Sequence, residues 1–198
     1  MSTTGPVETE VKIRCAGDAS AMYLLIESAG YVRESQRTLE ADQLFDLPGE
    51  SLRAADKILR LRTESNASGT QWTLTYKGPA ARERYKVREE IEVEAAQGGN
   101  FALILDRLGY IPGFRYEKYR TKFRRNSEPG IVTVDETPMG VFLELEGPTG
   151  WIDPTAAGLG FVLSDYVTLS YAALWRQYSA GNQDMPEDML FQTVSGAP

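Results

Sequence analysis

The stretch VETEVKIR, from Val7 to Arg14, alternates in character from one residue to the next. Because successive side chains on a β-strand point to opposite faces, residues two apart share a face. One face of this strand is mainly apolar, and the other carries Glu8, Glu10, Lys12 and Arg14. The stretch therefore predicts a strand in a sheet with one apolar face and one charged face.

The same alternation recurs along the chain, with turn-forming residues between the segments, and it predicts antiparallel neighbours. The predicted strands are Val7–Arg14, Val32–Phe45, Lys57–Glu64, Thr70–Lys77, Arg84–Glu94, Phe114–Arg125, Gly130–Thr137 and Val141–Gly147. Helical spacing of apolar residues predicts helices at Ala19–Ala29, Gly99–Leu108 and Thr168–Tyr178, and a shorter one starting at Pro154.

The signs of the charges are separated along the chain. Acidic pairs with a spacing of two lie near both ends of the patterned region, and basic pairs with the same spacing lie in the middle strands. A half-buried sheet with a solvated face explains any single strand but not this separation. A closed barrel can place its charged face around a lumen while helices cover its apolar face. We therefore predict an α+β fold, a closed antiparallel eight-stranded β-barrel with helices packed outside.

Length and composition limit the alternatives. The 198 residues suit one domain, predicted over residues 1–181, followed by a loosely held polar tail over residues 182–198. Cys15 is the single cysteine and there is no histidine, so Cys/His zinc sites and Ser-His-Asp triads are excluded. The net charge of -7 argues against a nucleic-acid partner. The sequence leaves a homodimer open.

Location follows from what the sequence lacks. No stretch approaches the roughly 20 apolar residues that cross a bilayer, and the N-terminus has no secretory layout. We expect a cytoplasmic protein without a membrane partner.

The charged face itself indicates a chemistry. Paired carboxylates are suited to a hard divalent cation such as Mg²⁺ or Mn²⁺. Clustered Arg and Lys are suited to a chain of phosphates. The combination predicts a metal–polyphosphate site.

With Glu8-Thr-Glu10-Val-Lys12, the chain resembles the CYTH superfamily, the triphosphate tunnel metalloenzymes, whose E-x-E-x-K signature is intact here. Further motifs follow in the family's order: Arg60-Leu-Arg62, Lys77 in LTYKGP, Arg88, Glu90 and Glu92 in VREEIEVE, Lys118 and Arg120 in YEKYRTKF, Asp135 in VTVDE, and Glu144 and Glu146 in FLELEG. Most of the chain, from about Val7 to Tyr178, is covered. The resemblance implies a triphosphate small-molecule substrate held in an eight-stranded tunnel.

This resemblance assigns roles to the charged residues. The predicted metal ligands are Glu8, Glu10, Asp135, Glu144 and Glu146. The predicted phosphate-binding residues are Lys12, Arg60, Arg62, Lys77, Arg88, Lys118 and Arg120, of which Lys12, Arg62 and Lys77 are the predicted catalytic residues. Glu90 and Glu92 are predicted to orient the cationic side chains or to hold a second metal.

Three functions remain open at this point. The first is a triphosphate phosphohydrolase, the second a class IV adenylyl cyclase that forms cAMP and pyrophosphate from ATP, and the third a non-catalytic nucleotide or polyphosphate sensor. We favour hydrolysis. We expect no acid to accompany Arg60 and Arg62, so their expected partner is a ligand anion, with pairing to lumen carboxylates as the alternative. The basic residue that some relatives carry near the C-terminal helix is absent at Leu169–Tyr171, and Arg176 is the nearest candidate.

Overall fold

The structure, a computed structural model, describes residues 5–95, 97–181 and 184–192. The strands are β1 (Val7–Arg14), β2 (Val32–Arg33), β3 (Thr38–Asp46), β4 (Ile58–Asn66), β5 (Gly69–Lys77), β6 (Ala81–Arg82), β7 (Lys86–Ala95), β8 (Ile111–Arg124), β9 (Ile131–Thr137), β10 (Gly140–Glu146) and β11 (Tyr166–Val167). The helices are α1 (Ala19–Ser28), α2 (Ser51–Ala54), α3 (Gly98–Arg107), α4 (Thr149–Gly158) and α5 (Tyr171–Ser179), with a 3₁₀ turn at Leu163–Asp165.

Eight long antiparallel strands of the described residues close into a barrel. Their order around the barrel is β1, β10, β9, β8, β3, β4, β5 and β7. Pairing of β7 with the first half of β1, for example Glu8 with Arg88, closes the ring. The predicted barrel with helices outside is therefore confirmed. Within the described residues, no helix is both long and apolar enough to span a membrane.

The main apolar core lies outside the barrel wall. Fully buried side chains such as Val11, Phe123 and Leu143 point outward from β1, β8 and β10, where α1 and α4 cover them through Ile26 and Ile152. Because the apolar parity of the strands faces the helices, the charged parity must face the lumen.

One glycine permits the packing of α4 against the barrel. A Cβ on Gly130 would lie only 2.2 Å from the ring of Trp151. Trp151 also donates a 2.8 Å hydrogen bond from Nε1 to Glu128. Only a residue without a side chain allows the indole this close to the loop before β9.

Several element boundaries differ from the prediction by one or more residues. The predicted strand Val32–Phe45 is split, because the backbone amides of Glu34 and Ser35 both bond to the carbonyl of Lys122 and interrupt regular pairing. The helix expected to start at Pro154 begins at Thr149 instead, and Pro154 lies inside it. The predicted helix at Thr168–Tyr178 begins later, because Ser170 caps α5 through the amide of Ala173 at 3.2 Å.

The expectation of a loosely held tail is wrong for residues 184–192. Met189 is fully buried and exchanges backbone hydrogen bonds of 2.8 and 3.0 Å with the outer edge of β8. Phe191 packs on Tyr119 with ring centroids 5.1 Å apart. These few apolar residues dock the segment although its surroundings in sequence are polar. Residues 1–4, 182–183 and 193–198 lie outside the described residues, and the division into domain and tail stays a prediction.

Candidate active site in the barrel lumen

The barrel encloses a cavity of about 610 Å³. Most of the predicted site residues line it together: Glu8, Glu10, Lys12, Arg60, Arg62, Lys77, Glu90, Glu92, Lys118, Arg120, Glu144 and Glu146. They come from β1, β4, β5, β7, β8 and β10, so residues that are far apart in sequence converge on one space. The predicted common lumen for these charges is confirmed.

Arg88 and Asp135 are the two predicted residues that do not line this cavity. The Arg88 guanidinium donates to the backbone carbonyls of Gly78 and Asp56, the latter at 2.9 Å, and so ties the ends of two loops together. Asp135 is completely buried and accepts hydrogen bonds from Lys118, Arg120 and Tyr171 at 2.6 to 2.8 Å. The carboxylate of Asp135 thus fixes two basic side chains from behind.

The predicted metal ligands cluster where β1 meets β10. Glu10 and Glu146 lie directly opposite each other in the strand register. Basic side chains contact three of the four carboxylates of this cluster: Glu10 receives Lys12 at 2.9 Å and Lys86 at 2.6 Å, Glu144 receives Lys12 at 3.1 Å and also Arg120, and Glu8 receives Lys77 at 2.8 Å. Predicted metal ligands and predicted phosphate ligands are therefore paired with one another.

The carboxyl pKa values of this cluster are spread apart. Burial would raise the pKa of Glu10, but Lys12 and Lys86 bring it below its usual range. Burial together with the charges of Glu8 and Glu10 raises the pKa of Glu146 to about 7. Burial and the neighbouring Glu8 likewise raise the pKa of Glu90 to about 8. Carboxylates that share one space and repel one another need a cation to ionise together.

The donor chemistry fits a divalent cation, although the side chains are not arranged as a closed site. In the part of the chain that the structure describes, no three acidic or thiol side chains converge to hold a metal ion. The oxygens of Glu8, Glu10, Glu144 and Glu146 are the hard ligands that Mg²⁺ and Mn²⁺ prefer. Burial and the neighbouring carboxylates raise the pKa of Glu146, so a cation placed beside it would favour the ionised carboxylate.

The opposite wall of the cavity is built on two arginines of β4. Arg62 donates to Asp42 from Nε at 2.8 Å and from Nη2 at 3.2 Å, and it approaches Glu40 at 3.0 Å. Arg60 lies 3.4 Å from Asp42 and 3.2 Å from Glu92. The expectation that no acid accompanies these arginines is wrong, because β3 pairs with β4 and brings its own acids to the same face.

Several lumen residues were absent from the predicted site. Glu40 and Asp42 are completely buried behind the arginines, and Lys86 lines the cavity beside Glu10. The same alternation that predicts the other lumen residues could have identified them. Glu40 and Asp42 are two residues apart, as are Lys86 and Arg88, so each pair shares a strand face. Tyr171 also lines the cavity, and its single polar atom on a helix gave no such pattern.

The first turn of α5 closes one side of the cavity. Ser170, Tyr171 and Ala172 reach the lining, and the Tyr171 hydroxyl donates to Asp135 at 2.7 Å. Arg176, the candidate replacement for a basic residue of some relatives, is exposed and is not part of the lining. A phenol, not a cation, therefore occupies this side.

Residues 7–152 match the model of the CYTH domain. This match spans more than half of the chain and covers the carboxylate and basic residues described above. The chain belongs to the CYTH family.

Three proteins similar to this chain have names that refer to adenylate cyclase. A protein of Methanocaldococcus jannaschii named "Putative adenylate cyclase" is 28% identical over 142 residues, which are 71% of this chain and 76% of that protein. A Vibrio parahaemolyticus structure described as a "putative adenylate cyclase" aligns with a TM-score of 0.75 at 20% identity over 86% of this CYTH chain and 98% of that one. A Hippeastrum structure, described as a "putative adenylyl cyclase" with "a dominant triphophatase activity", aligns with a TM-score of 0.61 at 16% identity over 86% of this chain and 96% of that one. At these identities the two structures show the shared fold.

Proposed function

We propose that this CYTH protein is a divalent-metal-dependent triphosphatase, which cleaves the terminal phosphoryl group from a triphosphate-containing small molecule. The observation that carries the proposal is that a carboxylate cluster on β1 and β10 faces basic side chains from β4, β5 and β8 within one cavity. A triphosphate complexed with a cation has the complementary charges.

The phosphate chain has a defined set of partners in this proposal. Arg60, Arg62, Lys77, Lys118 and Arg120 neutralise the non-bridging oxygens, and Lys12 bridges the basic and acidic sides of the lumen. Catalysis of phosphoryl transfer rests mainly on positioning and on charge stabilisation, which buried and fixed cations provide. Asp42 and Asp135 hold the arginine forks in place before substrate arrives.

The metal is assigned to Glu8, Glu10, Glu144 and Glu146. When bound, Mg²⁺ or Mn²⁺ would neutralise phosphate oxygens and make water more acidic. Because Asp135 already accepts hydrogen bonds from three side chains, we assign it to positioning Lys118 and Arg120 in preference to direct metal binding. Glu90 and Glu92 stay near Lys77 and Arg60 and orient them.

Adenylyl cyclase activity is the second candidate, and a specific observation favours it. Apolar and aromatic residues also line the cavity, among them Leu44, Ile58, Tyr116 and Ala172, and they could receive a nucleobase. The names of the relatives point to the same activity. In the Hippeastrum protein, by contrast, triphosphatase activity is described as dominant.

A product assay separates these functions. ATP, thiamine triphosphate and tripolyphosphate are incubated with Mg²⁺ or Mn²⁺, with a chelator as control, and cAMP, diphosphate and phosphate are quantified. The triphosphatase proposal expects phosphate release that the chelator abolishes. Formation of cAMP with pyrophosphate would establish the cyclase instead, and binding without any product would establish a sensor.

A further inference from the structure

Lys122 on β8 and Thr133 on β9 form a pair that none of the roles above uses. They lie directly opposite each other in the strand register, and both line the main cavity. Lys122, together with Arg120, also lines a second cavity of about 410 Å³. Lys122 therefore borders both cavities, and Thr133 faces it across the strand pair on the main-cavity side.

Neither side chain has a partner within the residues that the structure describes. Thr133 is only 3% exposed, and its Oγ1 makes no hydrogen bond. The Lys122 ammonium has no ion pair or hydrogen bond among these residues, whereas the other basic side chains that line the main cavity are each paired with a carboxylate. A buried hydroxyl without a partner costs stability, so its retention beside an unpaired cation indicates an external ligand with anionic oxygens.

The position of the pair continues the proposed phosphate-binding line. Lys118, Arg120 and Lys122 alternate along β8 and so share its lumen face. Lys118 and Arg120 are held by Asp135. Lys122 is the next cation along this face and, among the described residues, has no carboxylate partner.

We propose that Lys122 and Thr133 form an additional phosphate subsite, which binds one phosphoryl group of a linear polyphosphate beyond the three held in the main cavity. This inference rests on the proposed function and extends it to a substrate class, linear inorganic chains of at least four phosphates. The ammonium supplies charge and the threonine hydroxyl donates one hydrogen bond to a phosphoryl oxygen.

The second cavity supports an inorganic chain over an organic group. The described residues that line it are polar or charged apart from Gly69: Ser35, Thr38, Glu40, Glu64, Asn66, Ser68, Thr70, Gln71, Arg120 and Lys122. None of them is aromatic, so a nucleobase or thiamine ring would find no stacking partner there. A hydrated phosphate chain is compatible with such a surface.

Equilibrium binding of tripolyphosphate and tetrapolyphosphate, measured by calorimetry with Mg²⁺ present, tests the subsite. We expect the unchanged protein to bind tetrapolyphosphate about tenfold more tightly or better, the scale of one charge-assisted hydrogen bond. Lys122→Met should bring the ratio of the two affinities close to one. Lys57→Met removes a lysine that lies outside both cavities and should leave the ratio as it is.

Thr133→Val gives a second, independent measurement. It keeps the β-branched shape and removes the unpartnered hydroxyl, so it should lower the tetrapolyphosphate preference about two- to tenfold without lowering the melting temperature. Equal affinities for the two chain lengths in the unchanged protein would overturn the subsite. An equal loss for both chain lengths in Lys122→Met would also overturn it, because Lys122 would then act only through the general potential of the lumen.

The subsite and the proposed function fail in different ways. Absence of phosphate release from tripolyphosphate refutes the triphosphatase, whereas the subsite is judged on the ratio of two binding constants. A chain-length preference that depends on Lys122 would support the subsite even in a protein without turnover.

Discussion

Replacing Glu146 by Gln should make the ligand-free protein more stable at pH 8 and leave its stability nearly unchanged at pH 4. Glu146 lies near Glu8, Glu10 and Glu144, and Arg120 is the cation that opposes their effect on its carboxyl group. Burial and these acids raise its pKa from 4.5 to about 7. In the unfolded chain the same group titrates as an ordinary glutamate does, with a pKa of about 4.3.

The direction in which stability changes with pH follows from proton binding. Between these two pKa values the unfolded chain has released a proton that the folded chain retains, so the free energy of unfolding falls as pH rises through this window. The full difference corresponds to roughly 3–4 kcal/mol. Glutamine stays polar and partly buried but cannot ionise, so we expect a gain of roughly 1–3 kcal/mol above neutral pH, where the carboxylate would be charged.

Urea unfolding with a chelator present, followed by tryptophan fluorescence at pH 4 and pH 8, measures the effect. Glu83→Gln is the matched control, because Glu83 is exposed in the loop before β7. If Glu146→Gln destabilises the protein at pH 8, or changes stability equally at both pH values, the carboxylates do not repel one another as described. The repulsion argument for a cation at this position would then be lost.

Three further changes test other parts of the lumen. Arg62→Lys keeps the charge but loses the fork on Asp42, and if Arg62 binds phosphate the variant should lose about 1–3 kcal/mol in kcat/KM for tripolyphosphate; normal kinetics with a lowered melting temperature would make it a structural residue instead. Glu144→Gln combined with Glu146→Gln should abolish Mg²⁺- or Mn²⁺-dependent turnover, and undiminished turnover over a metal titration would reject both ligands. Tyr171→Phe removes a donor to a buried carboxylate and should lower the free energy of unfolding by about 1–3 kcal/mol in urea, whereas an unchanged midpoint would show that the bond contributes nothing.

Alternation along the strands, together with the separation of charge signs along the chain, was enough to predict the barrel and the common lumen. The alternation of apolar and charged residues within one strand shows which side chains share a face. For β1 it also predicted the boundaries that the structure has. Alternation does not say which strands become neighbours. Glu40 and Asp42 contact the two arginines of β4 only because β3 pairs with β4. This strand pairing therefore determines whether the arginines are unpaired or already form ion pairs in the ligand-free protein.

Pairing also separates residues that the alternation treats alike. Lys86 and Arg88 share a face of β7, but Lys86 reaches Glu10 in the cavity, whereas Arg88 turns to the backbone carbonyls of Gly78 and Asp56. Long side chains near the end of a barrel strand can reach either the lumen or the adjoining loops. Which of the two a side chain reaches depends on the positions of the loops, and the sequence pattern of a single strand does not contain this information.

In the lumen, the predicted metal ligands form ion pairs with the predicted phosphate ligands, so the two kinds of ligand would compete with these ion pairs. Glu10 and Glu144 could accept a metal only if Lys12, Lys86 and Arg120 loosened their ion pairs, and Lys12 and Arg120 could bind phosphate only after leaving these carboxylates. Either ligand alone would leave buried charge of one sign without a partner, which is costly. Metal and polyphosphate bound together would replace both sets of partners at once. Their affinities should therefore be positively coupled, and by linkage the metal must strengthen polyphosphate binding by the same factor by which polyphosphate strengthens metal binding.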